Sequence, residues 1–176
     1  MSTTTTMTFT EFEAWADQRD EVYELVDGVP RMVPHESISN LRATSALHHQ
    51  LVVALPAGSY LVLHHPGVAV TDAYIPGVRV PDLAVARERG QNGRRLTADD
   101  IVLVVEALSP STAHIDRHEK RADYAAAGIP AYLIIDTRPD VPLLTLHDER
   151  GTTTGEDVDV RIDGHTLTVR GADLMP

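Results

Sequence analysis

The chain has 176 residues, 43% of them hydrophobic and 23% charged, with no cysteine and a formal net charge of -11. That length allows one domain with a sizeable core, and the lack of cysteine excludes disulfides, thiolate zinc sites and cysteine nucleophiles. The acidic balance argues against a broad electrostatic footprint for nucleic acid. No apolar run approaches the roughly 18 residues of a membrane span. The Thr-rich start carries no basic region followed by an apolar one, so no signal peptide is read there and the cytoplasm is the expected location.

Residues 1–7 are expected to be disordered, and the rest to form a single domain. Thr8 to Asp17 reads as a short helix capped by Thr8 or Thr10, with Phe9, Phe12 and Trp15 on one apolar face. Val22 to Val33 reads as a hairpin turning at Asp27-Gly28. Its Glu24 points the same way as Val22 and Val26, either as an exposed strand glutamate or as something less ordinary. Ser37 to Leu55 reads as a helix with Leu41, Thr44, His48, Leu51, Val52 and Leu55 as its stripe. At least one of His48 and His49 then faces solvent.

Tyr60 to Val70 reads as one strand or a broken pair. Its His64-His65 is a polar edge, or less readily a metal site. The next strand starts near Val78 and carries Asp82. Glu88 to Asp100 reads as a polar, mobile loop. Ile101 to Leu108 is the most apolar strand and carries Glu106. Ser109-Pro110-Ser111-Thr112 offers a cap for a helix from Ala113 to Ala127, which Gly128 and Pro130 stop. Ala131 to Asp136 is a further buried strand, so strand, helix and strand make a right-handed parallel crossover. A strand from Pro142 to His147, a polar loop from Gly151 to Asp159 and a hairpin around Asp163-Gly164 close the chain.

Two apolar runs each hold a carboxylate that the local pattern does not predict: Asp82 in V-P-D-L-A-V and Glu106 after I-V-L-V-V. A carboxylate beside a buried run is costly unless something charged pairs with it. A divalent metal is one such partner; a lysine or arginine is the other. On the following helix, Asp116, Lys120 and Tyr124 lie at i, i+4 and i+8. That stripe is either a surface salt bridge or a face that sends Lys120 back toward the carboxylates. The arginine clusters Arg87, Arg89, Arg94, Arg95 and Arg117, Lys120, Arg121 read as solvated surface. No Gly-rich phosphate loop, G-x-S-x-G or H-E-x-x-H is present. If Glu24, Asp82, Glu106 and Lys120 converge, the set suits Mg²⁺ or Mn²⁺ and phosphodiester hydrolysis.

The ordered pieces Y-E-L-V-D-G-V-P-R-M-V-P, R-V-P-D-L-A-V, V-V-E-A-L-S-P-S-T and D-R-H-E-K-R-A-D-Y-A-A-A-G-I-P-A-Y-L-I-I-D resemble the Uma-two family of putative restriction endonucleases. That family lies within the PD-(D/E)XK nuclease-like superfamily. The resemblance covers about Thr8 to Leu146. It implies an α/β, restriction-endonuclease-like core, with a central mixed sheet flanked by helices and an N-terminal helix and hairpin. It implies Asp82 and Glu106 as the paired acids, Glu24 as the upstream acid, Lys120 as a lysine displaced to the helix, and Tyr124 one turn on. The superfamily's usual lysine place, two residues after the second acid, is held here by Leu108. The family's frequent helix-opening histidine is matched by Asn40. On this basis the expected catalytic set is Glu24, Asp82, Glu106 and Lys120. The expected metal set is Asp82, Glu106 and Glu24, with Tyr124 and Asp116 in support. The cofactor is Mg²⁺ or Mn²⁺, the substrate DNA, and a homodimer is compatible with double-strand cutting. A non-catalytic module that keeps the fold and an ion-pair network, and a phosphatase acting on small esters, are the alternatives.

Overall fold

The computed structural model describes residues 6–71, 76–90, 93, 95–109 and 113–175. Residues 1–5, Arg94 and the Ser111-Thr112 cap lie outside the described residues. Helix α1 (Phe9–Ala16) begins at Thr8, whose hydroxyl accepts from the Glu11 amide while Glu11 reaches back to the Thr8 amide. This reciprocal capping box satisfies two otherwise orphaned donors. Met7 is held too, its amide donating to the Gly28 carbonyl at 2.8 Å. Strands β1 (Tyr23–Val26) and β2 (Val29–Met32) form the expected hairpin. Asp27 and Gly28, at φ of 51° and 73°, supply the two left-handed residues such a turn needs.

Helix α2 (Ile38–Ala54) follows, N-capped by Ser37. Then come β3 (Tyr60–His64), β4 (Gly67–Thr71), β5 (Gly77–Arg79), β6 (Leu83–Arg87), β7 (Arg95–Thr97) and β8 (Ile101–Ala107). The chain next makes a wide, π-helical turn over Ile115–Lys120 that runs straight into α3 (Arg121–Ala126). Strands β9 (Tyr132–Asp136), β10 (Leu143–Asp148), β11 (Gly151–Gly155), β12 (Asp157–Ile162) and β13 (His165–Arg170) complete it. Among the described residues no helix is long and apolar enough to cross a membrane.

The expected central mixed sheet is present, with six strands in the order β11-β10-β9-β8-β6-β3. Its parallel pair is β8 and β9, joined by the crossover through α3. A second mixed sheet, β2-β1-β5-β4-β7, takes up the N-terminal hairpin. Side chains alternate across the central sheet. Leu83, Leu103, Val105, Leu133 and Ile135 pack with α2 and the β12–β13 hairpin. Ala84, Val104, Leu108 and Ile134 face the other way, toward Tyr124 of α3 and toward Val68 and Leu96 of the second sheet. A bulge where β6 meets β8 turns Val102 and Leu103 to the same face.

Three expectations are corrected. The buried face of α2 is Asn40, Ala43, Thr44, Leu47 and Leu51, while Leu41 and Val52 are exposed. The helix is turned so that Leu47 and Leu51 enter the core together with the small or polar Asn40, Ala43 and Thr44. The polar stretch from Glu88 to Asp100 contains β7, which pairs parallel with β4. Gly151 to Asp159 is not a loop but β11 and the start of β12. Strand β11 is an edge strand exposed over most of its length, so it carries none of the apolar alternation that marks a half-buried strand.

Candidate functional site

Strands β6 and β8 are antiparallel, with Leu83 opposite Val105 and Ala84 opposite Val104. Carrying that register one residue further sets Asp82 across from Glu106. Both side chains then leave the sheet on the face away from α2, the face shared by Ala84 and Val104. Asp82 lies at the passage from β5 of the second sheet to β6 of the central one, and its Oδ2 accepts from the Ala107 amide at 2.7 Å. Glu106 is 2% exposed.

The stripe Asp116, Lys120, Tyr124 is buried and turned toward these acids. Lys120 Nζ stands 2.8 Å from Glu106 Oε1, 3.3 Å from Glu24 Oε1 and 3.5 Å from Asp116 Oδ1. Tyr124 donates its hydroxyl to the same Glu106 oxygen at 2.9 Å. The surface-salt-bridge reading of this stripe is thereby replaced, since Lys120 is only 7% exposed. Glu24, 6% exposed, is likewise no surface glutamate. One of its oxygens accepts from Arg79 Nη1 at 2.8 Å, and the other from the Val80 amide at 3.1 Å. Arg79 also donates from Nε to Asp123 of α3 at 2.7 Å.

Glu24, Arg79, Asp82, Glu106 and Lys120 line a cleft of about 170 Å³, together with Glu36, Asn40 and Asp116. Asn40 spends its amide on structure, donating to the carbonyls of Ala107 and Leu108 and accepting from Thr137. Glu36 lies between β2 and α2, and both its oxygens are buried without a hydrogen-bond donor among the described residues. One ligating atom each from Glu36, His65 and Asp82 lies within 4.8 Å of the others.

Burial sets the protonation pattern. It pushes Asp82 up to about 10, with Glu106 and Glu36 adding to the rise. It also lifts Glu106 to about 7, although Lys120 opposes it. Glu24 is buried too, but Lys120 and Arg79 hold it below its ordinary value. Burial works against the Lys120 ammonium, yet Glu106, Glu24 and Asp116 outweigh it and keep the proton on.

The model of the Uma2 family, described as putative restriction endonuclease, matches residues 9–170. The chain belongs to the Uma-two family. Its fold is similar to that of a putative nuclease of the DUF820 group from Anabaena variabilis ATCC 29413, at a TM-score of 0.73 and 18% identity over 96% of this chain and 97% of that one. No curated protein matches. In this Uma-two chain Leu108, two residues after Glu106, is buried in the apolar cluster around Tyr124, and the ammonium beside Glu106 is that of Lys120.

Sequence reasoning missed Arg79 and Glu36, and weighed His65 as a metal ligand but favoured a polar edge. Arg79 stands in a short Val-Arg-Val run whose arginine looks like a solvated strand residue. Glu36 and His65 lie in irregular chain, where no periodicity marks which way a side chain points.

Proposed function

We propose that this Uma-two protein is a divalent-metal-dependent endonuclease that hydrolyses phosphodiester bonds, with DNA as the substrate. The observation that carries the proposal is the buried Lys120 ammonium 2.8 Å from Glu106 Oε1, on the face where the strand register also sets Asp82. The residues fit a divalent ion. Glu24, Glu36, Asp82, Glu106 and Asp116 face a cleft that offers three Lys or Arg side chains, Lys120, Arg79 and the exposed Arg31 at its mouth. Glu36 keeps two buried oxygens with no hydrogen-bond donor in bonding geometry among the described residues. Buried carboxyl groups in such excess suit an oxygen-binding cation.

Asp82 and Glu106 would hold the ion. When bound, it lowers the pKa of a coordinated water and offsets charge on a phosphoryl oxygen. Lys120 keeps its proton, so it acts through charge and not as a base. It orients the attacking water and neutralises the pentacovalent transition state beside Glu106. Glu24, with both oxygens engaged by Arg79, Val80 and Lys120, positions Lys120 instead of serving as a ligand. Tyr124 and Asp116 fix Glu106 and Lys120 from behind.

Incubation with supercoiled plasmid and with single-stranded DNA at low salt, in Mg²⁺ and in Mn²⁺, tests this. Cleavage that Asp82→Asn and Lys120→Ala both abolish is the expected result. Absence of cleavage together with absence of ion binding would sink the proposal in favour of a non-catalytic module. That second reading draws on the closed ion-pair set Glu24–Arg79–Asp123, which would serve as scaffolding without any metal.

A further inference from the structure

We propose that Glu36 and His65 complete the cation site with Asp82, and that this nitrogen ligand tunes it to a first-row transition-metal ion in preference to Mg²⁺. The inference rests on the nuclease reading, because Asp82 is common to both. Glu36, His65 and Asp82 come from three separate places: the connection into α2, the β3–β4 turn and the start of β6. Their ligating atoms lie within 4.8 Å of one another. Two ligands on opposite sides of a divalent ion stand about twice a metal–oxygen distance of roughly 2.0–2.6 Å apart, so the three reach one ion with little movement.

Two independent observations separate this cluster from an ordinary group of acids. The first is the state of Glu36. Both its oxygens are buried, and among the described residues their polar neighbours are the His65 imidazole and the Asp82 carboxyl, the other two members of the cluster. The nearest cationic atom, His65 Nε2, is 3.6 Å away, beyond hydrogen-bond length. A carboxylate buried between an imidazole and a second carboxyl favours a cation among them. The second is the backbone of His65. It sits at φ +50°, in the left-handed region that a residue with a Cβ seldom occupies, and Pro66 follows it. The His65 amide donates to the Asp82 carbonyl at 3.3 Å, which ties the strained turn to Asp82. Strain of this kind persists where the surrounding structure holds a side chain to a task.

An imidazole in the shell changes which ion is preferred. Mg²⁺ favours carboxylate and water oxygens and gives up its waters reluctantly. Imidazole nitrogen suits the first-row transition ions, whose affinity rises from Mn²⁺ through Co²⁺ to Ni²⁺. His65 supplies from the β3–β4 turn a nitrogen that Asn40, hydrogen-bonded to backbone carbonyls, does not.

The test uses full-length protein stripped of metal, titrated calorimetrically with Mn²⁺, Co²⁺ and Mg²⁺. The Mn²⁺-loaded protein is then examined by pulsed electron paramagnetic resonance for nitrogen coupling. The variants are Glu36→Gln and His65→Asn, since asparagine tolerates the left-handed backbone and keeps the turn. Wild type is expected to bind Mn²⁺ and Co²⁺ more tightly than Mg²⁺ and to show ¹⁴N coupling. His65→Asn is expected to lose that coupling and at least the roughly tenfold in Mn²⁺ affinity that loss of even a supporting residue costs, with little change for Mg²⁺. Glu36→Gln is expected to weaken both kinds of ion. Mn²⁺ binding that Asp82→Asn removes but that His65→Asn and Glu36→Gln leave unchanged, without nitrogen coupling, overturns this inference and leaves the nuclease reading standing. No binding of any of the three ions overturns both.

Discussion

Replacing Asp82 by asparagine should stabilise the metal-free protein while removing its ion. The Asp82 carboxyl is lifted from an ordinary value of 3.8 to about 10, chiefly by burial. A group whose folded pKa is raised holds a proton that the unfolded chain releases, so stability falls as pH rises from 3.8 toward 10. At pH 7 the unfolded carboxyl is roughly three pH units past its midpoint. Each unit is worth about 1.4 kcal/mol, so folding carries a penalty of about 4 kcal/mol that asparagine avoids. At pH 5 the same reasoning leaves a smaller penalty, on the order of 1–2 kcal/mol. Asparagine keeps an acceptor for the Ala107 amide, so the hydrogen bond at 2.7 Å survives. Urea unfolding of chelator-treated protein at both pH values should show the variant more stable, by a margin that widens with pH. Saturating Mn²⁺ should then narrow the margin at pH 7, since an ion at 100 times its Kd adds about 2.7 kcal/mol to the wild type alone. A variant less stable than wild type at both pH values, or a margin that ignores pH, would refute the reasoning.

Lys120→Met should abolish cleavage and cost roughly 3–5 kcal/mol in urea unfolding, because it strands Glu106 and Glu24 without their shared cation. Arg79→Met should cost a similar roughly 3–5 kcal/mol, by leaving Glu24 to Lys120 alone and freeing Asp123; circular dichroism melts would register it. Tyr124→Phe removes a donor from the Glu106 carboxylate and should cost roughly 1.5–3 kcal/mol. Since that donor favours the charged form, its loss should also raise the Glu106 pKa further above its present value of about 7. The rising limb of the pH–rate profile should therefore move to higher pH, and a limb that stays in place would detach Glu106 from the reaction.

What the sequence disclosed depended on whether a residue sat in a regular element. Glu106 ends an apolar strand, so its parity with Val104 and Leu108 could be counted, and with it the face it shares with Tyr124. Asp116, Lys120 and Tyr124 repeat at helical spacing and were legible as one stripe, although only the π-helical turn and the packing of α3 decide that it faces inward. The burial of Glu24 was not legible, because it depends on Arg79, 55 residues away and itself buried only through Glu24 and Asp123. Glu36 escaped because a bend before a helix carries no periodic signal, and the metal reading of His65 ranked below polar edge because a turn before a proline does not show which way its side chain points. The same limit hid β11, whose Thr-rich exposed run has neither face to distinguish. For α2, the apolar content of Leu41 and Val52 pulled the expected stripe away from Asn40 and Ala43, which the sheet accepts because they are small or satisfied.

The passage Val80-Pro81-Asp82 is the seam where the chain leaves one sheet for the other, and the cleft lies along it. Glu24 and Arg79 belong to the hairpin-bearing sheet; Glu106 belongs to the central one; Lys120 bridges them from the helix. The proposed catalytic constellation therefore exists only while the two sheets are docked, and it reports on that docking. Partial opening along the seam, a rearrangement well short of global unfolding, would scatter all four residues at once. An ion spanning Glu36, His65 and Asp82 would act as a rivet across the same seam. Amide exchange in β1 and β5 should slow when the ion binds, in strands that supply it with no ligand.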